Sequence, residues 1–224
     1  IWKDIKNLHL SVHPPTGRIR IAAPHTLGLD AIRAFAISRL RWIRKNQHKL
    51  VAQPREAVRD YIDRESHYVW GERVLLRLVY QDGPSSVRQA HRSLVVCVPS
   101  DTSRDDRHAL VEAWYRDSLR LAATPVLARW EKQIGVRANR LFVQRMKTKW
   151  GSCHPESGNI RLNTELAKKP PECLEYVVLH ELAHLRERTH TDGFYKLLDS
   201  HLPQWRDIRQ MLNSLPISDS SRVC

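Results

Sequence analysis

Apolar and polar positions alternate along two short stretches near the start, Leu8–His13 and Arg18–Ala22, on either side of Pro14-Pro15-Thr16-Gly17. A period of two bounded by turn residues predicts a β-hairpin. The period changes at Leu29. Ile32, Phe35, Ala36, Leu40 and Ile43 recur at helical spacing, so one helix is predicted over 29–50, with Asp30 placed to cap its first turn. Residues 51–66 carry no clear period. Tyr68–Trp70 and Arg73–Tyr80 flank Gly71-Glu72, the pattern of a tight hairpin, and Leu94–Val98 is a short β-branched run.

Asp105–Gln133 reads as a long helix interrupted near Pro125. Leu141–Met146 and Asn159–Asn163 read as strands joined by a loop around Trp150-Gly151-Ser152-Cys153. Pro170-Pro171 then open an apolar helix running from Glu172 to Arg186, with Glu172 and Glu175 at its positive end. Asp192–His201 and Gln204–Leu215 are two further helices parted at Pro203. The elements define an α+β fold in which a small, mostly antiparallel sheet packs on a helix, preceded by an N-terminal β-hairpin and helix. The pattern changes divide the chain into a basic hairpin-helix region over 1–66, a small sheet and long helix over 67–140, a strand-and-helix core over 141–215 and a flexible tail over 216–224.

The chain has 224 residues and an ordinary globular composition, 42% hydrophobic and 27% charged. No apolar run is long enough to cross a bilayer, so no membrane partner is expected. The opening Ile1-Trp2-Lys3-Asp4 has no initiator Met and no export signal. The expectation is a cytoplasmic protein whose numbering starts inside a longer chain. Cys97, Cys153, Cys173 and Cys224 form no C-x-x-C pair and fit reduced thiols. Net charge is +13, of which residues 1–60 hold +8, from twelve cations against four anions. Such a face suits a polyanion, nucleic acid among them, although no nucleic-acid motif is present; a solvated surface explains it equally.

The chemistry lies in the apolar helix, which reads His180-Glu181-Leu182-Ala183-His184. Histidines four apart on a helix share one face and can point at one cation, while Glu181, about 100° around, can approach a water beside it without ligating. Leu174, Val177, Val178, Leu179, Leu182 and Leu185 surround these polar groups, which would be costly to bury unless paired or bound to metal. A catalytic zinc takes three protein ligands and an open position. His190 is the candidate third, with Glu187, Asp192 and His201 as competitors. The H-E-x-x-H-x5-H spacing equals that of metzincins, but Glu187 stands where their glycine turn falls and no Met-turn follows. Zn²⁺ is expected, with Ni²⁺ or Co²⁺ as substitutes. Asp192, Asp199 and Glu187 are candidates to orient the imidazoles, and Tyr195, Arg188 and Trp150 are candidates to meet substrate or steady an oxyanion. Cys153 is read as a packing residue, Trp150 as a core filler and Gly151 as a tight bend.

Met146-Lys147-Thr148-Lys149-Trp150-Gly151-Ser152-Cys153, Gly158-Asn159-Ile160-Arg161-Leu162-Asn163, Tyr176-Val177-Val178-Leu179-His180-Glu181-Leu182-Ala183-His184, His190, Phe194-Tyr195 and Pro203-Gln204-Trp205 together resemble the YgjP-like family of metal-dependent hydrolases, distantly similar to SprT-like and other zincin proteases. The strong match covers 145–206. The resemblance implies a zincin-like core, metal on His180, His184 and His190, and the Trp150–Cys153 stretch beside the site. Tyr195 departs from the Trp that often follows the Phe. The resemblance implies a metallopeptidase acting on a peptide or protein, with Glu181 as general base. It also carries an attributed pyrophosphatase activity on UTP, a nucleotide substrate for which this chain has no P-loop. By analogy with SprT-like proteins, a further alternative is action on nucleic-acid-bound proteins through the basic N-terminal region.

Overall fold

The computed structural model describes residues 1–13, 16–52, 55–56, 59–146, 149–215 and 217–218. Its contacts divide the chain into two units, Ile1–Ala57 with Pro216–Cys224, and Val58–Leu215.

In the first unit the opening alternation becomes strands. β1 (Trp2–Lys3) runs parallel to β3 (Arg18–Pro24), and β2 (His9–His13) pairs with β3 antiparallel, in the order β1-β3-β2. Pro14 and Pro15 of the connecting turn lie outside the described residues. The single helix predicted over 29–50 is two, α1 (Leu29–Ser38) and α2 (Leu40–Ala52). The break falls at Arg39, where φ −103° and ψ 7° leave the helix. There the Ser38 hydroxyl donates to the Phe35 carbonyl at 2.8 Å, the competition for helical carbonyls that bends or ends helices. Gln47 on α2 donates its amide to the Gly17 carbonyl of the hairpin turn, and Ile43 is buried. β4 (Arg55–Glu56) pairs parallel with Ile217–Ser218; the rest of the predicted tail over 216–224 lies outside the described residues.

The second unit holds one continuous hydrophobic cluster running from Tyr61 to Leu212, so the segments 67–140 and 141–215 share a core. β5 (Ser66–Val69) and β6 (Glu72–Tyr80) are antiparallel. Their turn is Trp70-Gly71, with φ of 51° and 84°, one residue earlier than the predicted Gly71-Glu72 and of the type that needs positive φ twice. β7 (Ser86–Ala90), too polar to show an alternation, is an edge strand on β8 (Ser93–Val98), and the order is β5-β6-β8-β7 with β6 and β8 parallel.

α3 (Arg104–Ile134) starts at Ser103, whose side chain accepts from the Asp106 N–H, and ends at Gly135 in the left-handed conformation. It runs unbroken through Pro125, against expectation. Proline frees the carbonyl four residues back, and Leu121 there is 79% exposed, so water can satisfy it.

β9 (Arg140–Gln144), β10 (Gly151–His154) and β11 (Asn159–Asn163) form the second sheet, in the order β10-β11-β9, so the Gly151-Ser152-Cys153 stretch predicted as loop is itself an edge strand. A buried 3₁₀ turn, Thr164–Lys168, leads to α4 (Pro171–Ala183), which is buried nearly all round, as a helix packed on several sides must be. The Trp70-Gly71 turn abuts its start. Trp70 N–H donates to the Ala167 carbonyl at 2.8 Å, and a Cβ on Gly71 would lie 2.9 Å from Pro170 Cγ. Glu175 ties α4 to α3 by accepting from Trp130 Nε1 and Arg129. α5 (Asp192–His201) and α6 (Trp205–Ser214) complete the unit. Among the described residues no helix is long and apolar enough to cross a membrane.

Candidate metal centre

α4 delivers His180 and Glu181 from its last turn, and His184 follows as its C-cap with helical angles. The chain then turns through 185–189 and returns His190 just before α5. Thr191 sets that return, since its hydroxyl caps Phe194 N–H and donates to the Glu187 carboxylate. The three rings stand 4.9–5.1 Å apart by centroid. All of them rest on Phe194, which is fully buried, with centroids 4.7–5.0 Å from each imidazole.

One ligand nitrogen from each of His180, His184 and His190 lies within 4.8 Å of the others. The Nε2 atoms of His180 and His190 are 3.2 Å apart. Two imidazoles on a tetrahedral zinc, with Zn–N of about 2.0–2.1 Å, would place their nitrogens about 3.3 Å apart, so the donor set fits such an ion. His184 Nδ1 lies 3.1 Å from the Glu187 carbonyl, which can only accept. Nδ1 therefore carries the proton and Nε2 keeps its lone pair. His180 Nδ1 faces the Tyr176 hydroxyl at 3.4 Å. Burial first, then the charges of His184, His190 and Arg209, depress the His180 pKa to about 3. Burial and His184 lower that of His190 as well. Neutral imidazoles are the form a metal needs.

Glu181, about 100° around α4 from His180, lies against Gly151 of β10. It is 6% exposed, and burial raises its pKa to about 7, while the Lys149 charge and the Cys153 backbone N–H, which the carboxylate accepts, pull it back. Gly151 is buried beneath it. A Cβ there would meet Glu181 Cγ and Oε1, both at 2.7 Å. Gly151 is not among the positive-φ glycines, so the predicted tight bend is corrected: this position is small because a carboxylate occupies the space. The Trp150 carbonyl accepts from Asn163 N–H and the His154 carbonyl from Gly158 N–H. By antiparallel alternation Gly151 and Cys153 then direct their backbone groups to the open edge of the sheet. The Cys153 thiol is pushed up to about 11 by burial and by Glu181, far from a nucleophilic thiolate.

Of the other candidates, Tyr195 stacks on His190 at 6.2 Å and 22°. Arg188 is exposed in the 187–190 turn, and Trp150 packs at the edge of the core under Lys169. Glu187 serves His184 through its carbonyl rather than its carboxylate. Asp192 is exposed at the start of α5, and Asp199 holds Trp205 Nε1 and Arg206. His201 stands against Trp130 with Nδ1 on the Leu197 carbonyl, apart from the cluster. Sequence reasoning did not single out Tyr176 or Phe194 for the site. Tyr176 had a signal, one helical turn before His180; Phe194 had none beyond its place in the family pattern.

The model of the family described as "YgjP-like, metallopeptidase domain" matches residues 6–215. Two solved structures are similar. The metallopeptidase zymogen jannalysin of Methanocaldococcus jannaschii is 20% identical over 40% of this chain and 86% of its own, with a TM-score of 0.37. The metallopeptidase zymogen abylysin of Pyrococcus abyssi is 19% identical over 42% of this chain and 99% of its own, with a TM-score of 0.38. No curated protein matches the chain. The family description names a peptidase; neither a nucleotide nor a nucleic acid enters it.

Proposed function

This chain belongs to the YgjP-like family of metallopeptidase domains, and from that membership we propose that it is a zinc-dependent peptidase in which His180, His184 and His190 hold the ion and Glu181 is the general base. The observation that supports this reading is the gathering of three imidazole nitrogens within 4.8 Å at the end of a helix whose next residue is a buried carboxylate. A divalent ion on that triad supplies Lewis acidity toward a carbonyl and a lowered pKa for water.

The chain's own groups do the rest. Glu181 takes a proton from the attacking water and returns it to the leaving nitrogen. A pKa near 7 suits both acts, and the Cys153 N–H aims the carboxylate while they occur. The substrate backbone extends along the edge of β10, where the half-buried Cys153 offers its carbonyl, so the site reads main chain more than side chain. Tyr195 stacks on His190 at the metal side of the site.

Zinc-loaded protein mixed with an unfolded protein substrate is expected to generate new amino termini. Glu181→Gln at equal metal content is expected to do so at least about a hundredfold more slowly, the usual contribution of a positioned base. Equal rates for the two proteins contradict the assignment of the base.

A further inference from the structure

We propose that the Glu187 carboxylate is a positioning residue for the third metal ligand: through Thr191 it closes the turn after α4 and so carries His190 back to His180 and His184. The inference rests on the three-histidine reading of the centre and adds a group that holds one of its ligands.

The turn has few backbone bonds to fix it. Behind His184 the N–H groups of Leu185, Arg186 and Glu187 still donate to the Leu182 and Ala183 carbonyls. Arg188, Thr189 and His190 are exposed, and among the described residues one backbone hydrogen bond serves this stretch, from Thr191 N–H to the Thr189 carbonyl at 2.8 Å. An exposed segment with so little pairing opens readily unless side chains restrain it. The H-x-x-G-x-x-H turn of metzincins has a glycine at its middle, where this chain has Glu187.

Glu187 grips the turn at both ends. Its carbonyl accepts from His184 Nδ1 at 3.1 Å. Its Oε2 accepts from the Thr191 hydroxyl at 2.9 Å, and that hydroxyl accepts in turn from Phe194 N–H at 3.3 Å. One residue therefore joins the second ligand to the neighbour of the third, and the same chain of bonds ends on Phe194, which underlies all three rings. Gly193 points the same way independently. A Cβ there would lie 3.0 Å from Glu187 Oε1 and 3.3 Å from its Cδ, so the first turn of α5 leaves room for this carboxylate. Gly193 is not among the positive-φ glycines, so its missing side chain answers space rather than backbone angle. The carboxylate lies outside the group of three imidazole nitrogens that could share an ion, so it fixes the approach of His190 and does not ligate.

The test is zinc affinity, read by competition with chelators of graded strength, in the wild type, Glu187→Ala, Glu187→Gln, His190→Ala and the double variant Glu187→Ala with His190→Ala. Every Glu187 variant keeps the backbone carbonyl that serves His184. Glu187→Ala is expected to weaken zinc binding about tenfold or more, the usual effect of removing a group that orients a ligand. Glu187→Gln is expected to stay within about threefold of the wild type, because its amide oxygen still accepts from Thr191. In the His190→Ala background, Glu187→Ala is expected to add nothing, because the ligand it positions is gone. Wild-type affinity in Glu187→Ala overturns the proposal. So does an equal loss in Glu187→Gln, which assigns the effect to charge, or an equal loss in the His190→Ala background, which assigns it to the fold. The reading beneath is tested separately by His190→Ala alone. Undiminished zinc binding in that variant removes the three-histidine centre, whereas weakened binding there beside an unaffected Glu187→Ala removes only the clasp.

Discussion

Gly151 and Glu181, thirty residues apart in the chain, are packed so closely that a β-carbon on the glycine would lie 2.7 Å from both Cγ and Oε1 of the carboxylate. Val177 Cγ1, at 2.9 Å from the same point, closes the other side. Neither neighbour is the loose end of a surface chain. Gly151→Ala must therefore displace Glu181 or β10. Overpacking of this kind costs about 1–3 kcal/mol in stability. Displacing the base is expected to cost about a hundredfold in kcat/KM, since small misplacements at a reacting centre have effects of that order. Steady-state kinetics beside elemental analysis checks it: activity should fall while metal content stays at the wild-type level.

The buried carboxylate also makes a prediction about stability without metal. Burial raises the Glu181 pKa from 4.5 to about 7. The folded state then binds this proton more tightly than the unfolded state, so the contribution is fully present below about pH 4.5 and is lost as pH rises to about 7. Metal-free Glu181→Gln is expected to exceed the metal-free wild type in stability by up to about 3 kcal/mol at pH 8, with the difference much reduced at pH 5. Denaturant unfolding at the two pH values measures it, and a difference independent of pH counts against the buried, ionisable base.

Phe194 supports all three imidazoles and is fully buried. Truncation to Ala removes the floor of the site and leaves a cavity, at an expected cost of about 3–5 kcal/mol. Because the rings lose their common support, metal affinity is expected to fall as well. Thermal unfolding and a competitive chelator titration read the two effects separately.

Tyr176 reaches His180 Nδ1 at 3.4 Å, a long contact. Tyr176→Phe keeps the stack on Trp205 and deletes only the hydroxyl. A loss of about tenfold in metal affinity is expected, at the lower end of what removing a ligand's hydrogen-bond partner causes. Unchanged affinity would assign the orientation of His180 to packing on Phe194 alone.

Local period carried much of the fold. α5 and β11 fall on the residues where the sequence put them, because apolar spacing and Pro203 mark their limits locally. The break at Arg39 coincides with a single serine hydroxyl bonding back to the helix, and β7 and β10 are short strands whose residues are too polar or too small to alternate visibly. The H-E-x-x-H helix stood out as a polar trio set in apolar surroundings, and His190 by its spacing from His184 and its imidazole. The relationship of Gly151 to Glu181 joins elements distant in the chain, and no period within either element encodes it.

The central claim is that three imidazoles share one divalent ion. Elemental analysis of the purified protein and of His190→Ala, at matched concentration after removal of loosely bound metal, tests it most directly. About one zinc per chain is expected in the wild type, as a three-histidine site requires, and well under half of that in the variant. A variant that keeps the full equivalent, or a wild-type protein that holds none after zinc loading, contradicts the account.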